Sequence, residues 1–272
     1  MVTLIGNSLN STNKKILDKM NKMDFLFIKK ESQAQLINGA EFIELNAGSL
    51  LNNELIFLME AVKVIEDLGG KVLVRSKNIE TLKKIAEVAE NEIILGDIEF
   101  DKKKIDDILK VSGNGKVKIV ALIKDNGKAP LSPEKSLLIA QHFVDYLLDK
   151  GVKREDILLD PMISSLEENC DNGKKFLDTL ELFKLDFPRV KTIAHLIDLS
   201  EGLPKRQLIS AHFVSLAIEK GLDYVSLNTL EETILQSVIT TLSIIGKDKN
   251  MQSYINFCRS SRESKKDSQK DE

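Results

Sequence analysis

Only two cysteines, five prolines, fourteen glycines and three histidines occur in 272 residues. Each shortage closes off a class of protein. Cys170 and Cys258 lie far apart, with no Cys-x-x-Cys or Cys/His ligand spacing, so neither a disulfide framework nor a bound metal is expected. Glycine and proline fall well under their usual share of about 12%, which predicts short loops and a helix-dominated chain. No apolar run approaches the roughly 18 residues that span a bilayer. The start MVTLIGNSLNS also lacks a basic stretch followed by a long apolar one. A cytoplasmic protein without a membrane partner is expected. Excess charge of either sign is missing too: 39 Lys+Arg face 42 Asp+Glu, a formal −3. That balance argues against a nucleic-acid binder.

What is present is enough apolar material, 42% against 30% charged, to bury a sizeable core. Short β-branched runs alternate with longer segments of helical period, the signature of βα units. The runs are Val2 to Gly6, Glu41 to Asn46, Lys71 to Arg75, Glu92 to Gly96, Val117 to Ile123, Asp156 to Asp160, Lys191 to Ile197 and Asp223 to Leu227. Helical spacing marks Glu54 to Leu68, where Leu55, Leu58, Met59, Val62 and Ile65 share one face. It recurs in Ile79 to Ala89, Pro133 to Leu148, Phe176 to Phe183, Leu208 to Glu219 and Leu230 to Ile245.

Eight near-continuous apolar strands with intervening helices predict an α/β protein, a single (β/α)8 TIM barrel. The barrel domain is expected over residues 1–258, with a final helix at Met251 to Cys258 capping it and a charged, disordered tail over 259–272. Ser11 to Lys22 is polar and reads as an irregular, mobile insertion before a helix that begins near Asp24. The SGNGK stretch at Ser112 to Lys116 reads as a turn; it lacks the spacing of a phosphate loop.

Chemistry in such barrels sits at the C-terminal strand ends. Those positions hold Asn7, Asn10, Glu44, Asn46, Arg75, Asn78, Gly96, Asp97, Lys124, Asp125, Asp160, Asp198, Ser200 and Asn228. No paired nucleophile and base can be placed among them. His142 and His212 fall in helices and read as packing or surface residues, and His195 as an interior residue supporting the site. Asp160 stands directly before Pro161, which ends the strand ladder and holds the carboxylate at the mouth. It reads either as a strand-ending turn or as an acceptor for adjacent N–H donors of the kind a pterin presents.

Taken together, Ile5-Gly6-Asn7-Ser8-Leu9-Asn10, Glu44-Leu45-Asn46-Ala47-Gly48, Leu159-Asp160-Pro161, Leu196-Ile197-Asp198-Leu199-Ser200 and Lys205-Arg206 occur in a familiar order and spacing. The chain resembles the pterin-binding methyltransferases that move a methyl group from methyltetrahydrofolate to a corrinoid protein. The resemblance runs from about Val2 to Cys258. It implies a dihydropteroate synthase-like barrel and methyltetrahydrofolate as substrate. It also implies cobalamin carried by a partner protein, since this chain has no Asp-x-His-x-x-Gly motif, and a possible homodimer. It further implies substrate contacts from Asn10, Glu44, Asn46, Arg75, Gly96, Asp160 and Arg206, with Asp198 catalytic at the methyl-bearing nitrogen.

Five positions depart from the family, the mildest being Glu44, which replaces the aspartate of an Asp-Leu-Asn motif and keeps its charge. Arg75-Ser76-Lys77-Asn78 replaces an Asp-Ser-x-Asn motif, Gly96 replaces an asparagine, Asp198 replaces another, and Asn7 replaces a glutamate. Three placements of Arg75 stay open: paired with Asp160 or Glu44 in the pterin's place, bound to an anionic ligand, or turned to solvent. The alternative to a methyltransferase is therefore a non-catalytic or altered-ligand barrel acting as a binding or partner subunit. An aldolase-type enzyme using Lys124 is a third, weaker reading.

Overall fold

The computed structural model describes residues 2–50, 53–111, 116–196 and 198–259. Residues 112–115 of the expected SGNGK turn, Ile197 and the expected tail from 260 onward lie outside them. Eight parallel strands close in chain order: β1 (Thr3–Gly6), β2 (Phe42–Asn46), β3 (Lys71–Arg75), β4 (Ile93–Ile98), β5 (Val117–Leu122), β6 (Ile157–Asp160), β7 (Lys191–His195) and β8 (Tyr224–Leu227). β8 completes the circle against β1, pairing Thr3 with Tyr224 through Gly6 with Leu227. These are the eight expected strands, with no end displaced by more than two residues.

The outer ring is built from α1 (Lys14–Asn21), α2 (Phe25–Ile37), α3 (Glu54–Glu66), α4 (Ile79–Val88), α5 (Lys102–Leu109), α6 (Pro133–Asp149), α7 (Asn172–Asp186), α8 (Arg206–Glu219) and α9 (Glu232–Ile244). The strands read as continuous apolar runs because both faces are covered. Outward Ile43, Leu45, Val72 and Val74 pack with Phe57, Leu58 and Ile65 of α3. Inward Ile5, Phe42, Leu73, Ile94, Val120, Leu158 and Ile193 plug the barrel, with Tyr224 against them.

That plug locates the mouth. Side chains alternate along a strand, so the next inward residue lies two positions on. On the even strands these are Glu44, Gly96, Asp160 and Ser226, and on the odd strands Asn7, Arg75, Leu122 and His195. Apolar layers thus give way within one step to a layer rich in charge, as barrels of this class stack alternate strands in layers.

The segment Ser11 to Lys22 departs from expectation, because α1 occupies most of it. Asn13 caps that helix by accepting from Lys15 N at 2.9 Å. Ile16, Leu17 and Met20 then meet the core, with Met20 fully buried. The polar surface face concealed a short amphipathic helix. α5, expected only as one of the helices between strands, has no strong helical spacing: only Ile105 and Ile108 are buried in eight residues, while Asp101 caps it through Lys104 N. Residues 252–259 are helical as expected, but each of them is exposed or half-buried. No helix among the described residues is long and apolar enough to cross a membrane.

Candidate active site

A chain of charged side chains spans the barrel mouth. Glu44, only 2% exposed, accepts from Ser226 Oγ of β8 and faces His195 Nδ1 of β7 at 3.3 Å. The other imidazole nitrogen, Nε2, faces Asp160 Oδ2 of β6 at 3.6 Å. Asp160 Oδ1 accepts from Met162 N at 2.9 Å, the turn that Pro161 begins. Arg75 of β3 reaches Glu44 Oε1 through Nη1 at 3.4 Å. Its Nε donates to both oxygens of Asp97, at 3.1 and 3.0 Å.

Of the three placements open for Arg75, pairing across the mouth is the observed one, with Glu44 and Asp97 as its direct partners. Gly96 and Asp97 explain how. The β4–β5 register shifts between Leu95 and Ile98, and Asp97 adopts φ 63° there. An irregularity of this kind re-aims a side chain, and here it presents Asp97 to the guanidinium. Gly96 leaves room beneath: a Cβ there would lie 3.1 Å from Arg75 Cγ and 3.2 Å from Val74 O.

Buried charges persist only when paired, and the protonation states follow from that. Burial pushes the Glu44 carboxyl upward, but His195, Arg75 and Ser226 outweigh it and hold it at about 2. Burial and nearby Arg75 oppose a charge on His195, yet Glu44 and Asp160 on either side raise its pKa above the usual histidine value. The imidazole thus lies between two carboxylates that favour its protonation, with Arg75 Nη1 3.5 Å from Nδ1 opposing it. Burial also raises Asp160, while His195, the Met162 amide and Arg75 pull it back. Asp198, half-buried just after β7, is pushed up to about 6, chiefly by burial, with Asp160 and Glu44 adding and His195 and Arg75 opposing.

Two cavities open onto this chain. The central one, of about 170 Å³, is lined by Asp160, His195, Asp198, Arg75, Lys77 and Lys124, among others. The outer one, of about 780 Å³, lies over the ends of β2, β3 and β4, and shares Arg75, Lys77 and Asp97 with the first. Glu44, Arg75, Asp160 and Asp198 are thus brought to one place, as expected. Asn46 borders the outer cavity instead. Asn10 turns onto its own loop, accepting from Thr12 N, and pairs with Asn46 through a backbone bridge. Arg206, the first residue of α8, lines a separate cavity of about 230 Å³ with Asn7, Ser200 and Asn228. Gly96 serves as space for Arg75 rather than as a donor. Lys124 is ion-paired to Glu99 at 2.7 Å, which ties up the amine that an aldolase reading requires.

Ser226 is the member that sequence reasoning missed; His195 was read as an interior residue supporting the site and Asp97 only as one strand-end position among many, with no role given. Inward register supplies a signal for Ser226 and His195, each two residues above a plug residue. For Asp97 the strand-end position was legible but its inward aim was not, since a regular β4 would turn it outward. Among the described residues no cluster of His, Cys, Asp and Glu is arranged to hold a metal ion.

The chain matches no protein-family model. It is 21% identical over 254 residues to the methylcorrinoid:tetrahydrofolate methyltransferase of Eubacterium limosum, spanning 92% of this chain and 94% of that one. Among solved structures it is similar to Yersinia pestis dihydropteroate synthase with a pterine-sulfa conjugate, at TM-score 0.68 and 13% identity over 90% of this chain and 93% of that one. A dihydropteroate synthase of Anaplasma phagocytophilum with bound 6-hydroxymethylpterin-monophosphate gives 0.63 at 16%, over 88% and 99%. The barrel is of the dihydropteroate synthase type. The resemblance to pterin-binding methyltransferases, drawn from the strand ends, is met by a relative spanning nearly the whole of both chains.

Proposed function

We propose that this protein exchanges a methyl group between a reduced folate and a corrinoid protein docked over the barrel mouth. The observation that carries the reading is Asp160, a 3% exposed carboxylate on the wall of a ring-sized cavity that Asp198 also lines. Each carboxylate oxygen accepts more than one hydrogen bond. Asp160 thus retains acceptor capacity for adjacent ring N–H donors while bound to Met162 and facing His195. The Eubacterium limosum relative, whose name couples the same two reactants, supports this assignment.

Asp198 supplies the proton chemistry. A methyl group leaves a folate nitrogen more readily when that nitrogen gains a proton or a strengthening hydrogen bond. A carboxyl with a pKa of about 6 is partly protonated near neutrality and donates such a bond. In the reverse direction its ionised form accepts the same proton, since a group that stabilises the transition state acts from either side. The corrinoid cobalt, carried by the partner, supplies the methyl-carrying chemistry when docked. This chain binds the ring, orients it and holds the proton.

One observation favours a second reading: Arg75, with Glu44 and Asp97, fills one side of the mouth where the resembled family carries an aspartate. The barrel would then take a different ligand as a binding subunit. Calorimetric binding of methyltetrahydrofolate separates the two. Micromolar binding that Asp160→Asn weakens about 10- to 100-fold, the value of a charged hydrogen bond, supports the methyltransferase reading. No detectable binding by the unsubstituted protein transfers the weight to the second.

A further inference from the structure

The carboxyl group of Asp160 has no fixed plane of its own, because the last torsion of an aspartate is broad. A pair of adjacent N–H donors nevertheless meets a carboxylate well only when the planes match. Two contacts settle the plane here. Met162 N donates to Oδ1 at 2.9 Å, and His195 Nε2 faces Oδ2 at 3.6 Å. Each oxygen keeps a further lone pair for the central cavity, which Asp160 and His195 both line.

His195 is itself anchored. It is 6% exposed, and its Nδ1 lies 3.3 Å from Glu44 Oε2 and 3.5 Å from Arg75 Nη1. These neighbours fix where its proton sits. In the cation, Nδ1–H points to Glu44 and Nε2–H to Asp160. In the neutral ring the guanidinium of Arg75 can only donate, so Nδ1 accepts and the proton stays on Nε2. Asp160 therefore faces an N–H in both states. Packing alone gives no reason for an imidazole at this position, since Leu122 fills its place in the same layer with hydrocarbon.

We infer that His195 is a positioning residue: anchored by Glu44, its Nε2–H fixes the plane of Asp160 so that both oxygens meet two adjacent N–H donors of the ligand ring. Recognition of the ring's amino edge then depends on His195 more than ring binding in general does. A side chain that merely filled space would support both equally. This rests on the folate reading above and adds to it the residue that sets how sharply the ring is read.

The experiment is calorimetry with two probes, 6-methyltetrahydropterin and its analogue lacking the exocyclic amine. The readout is the ratio of their Kd values, which measures how strongly the amino edge is read. In the unsubstituted protein the ratio is expected to be about tenfold or more, the worth of a hydrogen bond to a charged group. In His195→Leu, which keeps bulk and loses the donor, it is expected to fall to within about twofold of unity. His195→Asn, whose shorter amide stays beside Glu44 and falls short of Asp160, is expected to lose the ratio as well and serves if the leucine variant does not fold. His195→Gln carries an N–H to the place of Nε2 and is expected to hold the ratio within about threefold of the parent. Circular dichroism checks the fold of each variant. A parent-like ratio in His195→Leu or His195→Asn overturns the positioning role while the folate reading stands, and so does a loss in His195→Gln as complete as theirs. If neither probe binds the unsubstituted protein, both are overturned.

Discussion

The side chain of Arg75 lies across Gly96, close enough that a single added carbon at residue 96 would come within 3.1 Å of its Cγ. The two positions are register partners on β3 and β4, and each departs from the pattern of the resembled family. Their departures are one structural event: the long cation needs the space that the missing side chain leaves.

Gly96→Ala therefore overpacks the mouth, at a cost of about 1–3 kcal/mol. Arg75→Ala in the same chain relieves the contact with Cγ but not that with Val74 O at 3.2 Å. Urea unfolding of both single variants and the double variant is expected to show a partial, non-additive rescue of about 0.5 kcal/mol or more. Strict additivity would mean that the two residues do not touch.

Arg75→Asp returns the residue of the resembled family, and on sequence grounds it promises better folate binding. The structure adds a cost in stability, since a carboxylate there joins Glu44 and Asp97 without the cation that compensates them. Leaving buried charge unpaired costs about 3–5 kcal/mol. The variant is expected to unfold at lower urea than Arg75→Met. An Arg75→Asp protein as stable as the parent would show that Arg75 is dispensable to the charge balance.

Glu44→Gln preserves shape but removes the charge shared by His195 and Arg75. The expected loss is about 3 kcal/mol at pH 7. The imidazole should also titrate at lower pH, because Glu44 is one of the two carboxylates raising it. Urea unfolding and NMR titration of His195 check the two effects independently.

Asp198 makes stability and activity depend on pH in a defined window. Its carboxyl rises from 3.8 to about 6 on folding, so between these values the native state binds more protons than the unfolded one. Stability from this group falls as pH climbs through that window, by on the order of 3 kcal/mol. Glu44 runs the other way: its depressed pKa contributes stability above 4.5 that is lost as pH falls toward 2. Subtracting the profile of Asp198→Asn from that of the parent isolates the Asp198 slope. Methyl transfer from the folate should decline above about pH 6 in the parent, and this inflection should be missing from Asp198→Asn.

The alternation of strand and helix was legible along the chain because period-2 and period-3.6 apolar patterns are local properties of the polypeptide. So was the seating of Asp160 at a strand end, because Pro161 acts on its immediate neighbour. α1 was hidden because a short helix needs only Ile16, Leu17 and Met20 on its buried face, too few to stand out among polar residues. The tertiary structure alone decided the electrostatic partners. Glu44, Arg75, Asp160 and His195 come from four different strands, and their separations depend on how the barrel closes and staggers. A register shift in β4 turned Asp97 inward, and the absence of a side chain at Gly96 let Arg75 cross to it. Secondary structure follows from spacing along the chain, whereas a network of buried charges follows from closure, which no local pattern encodes.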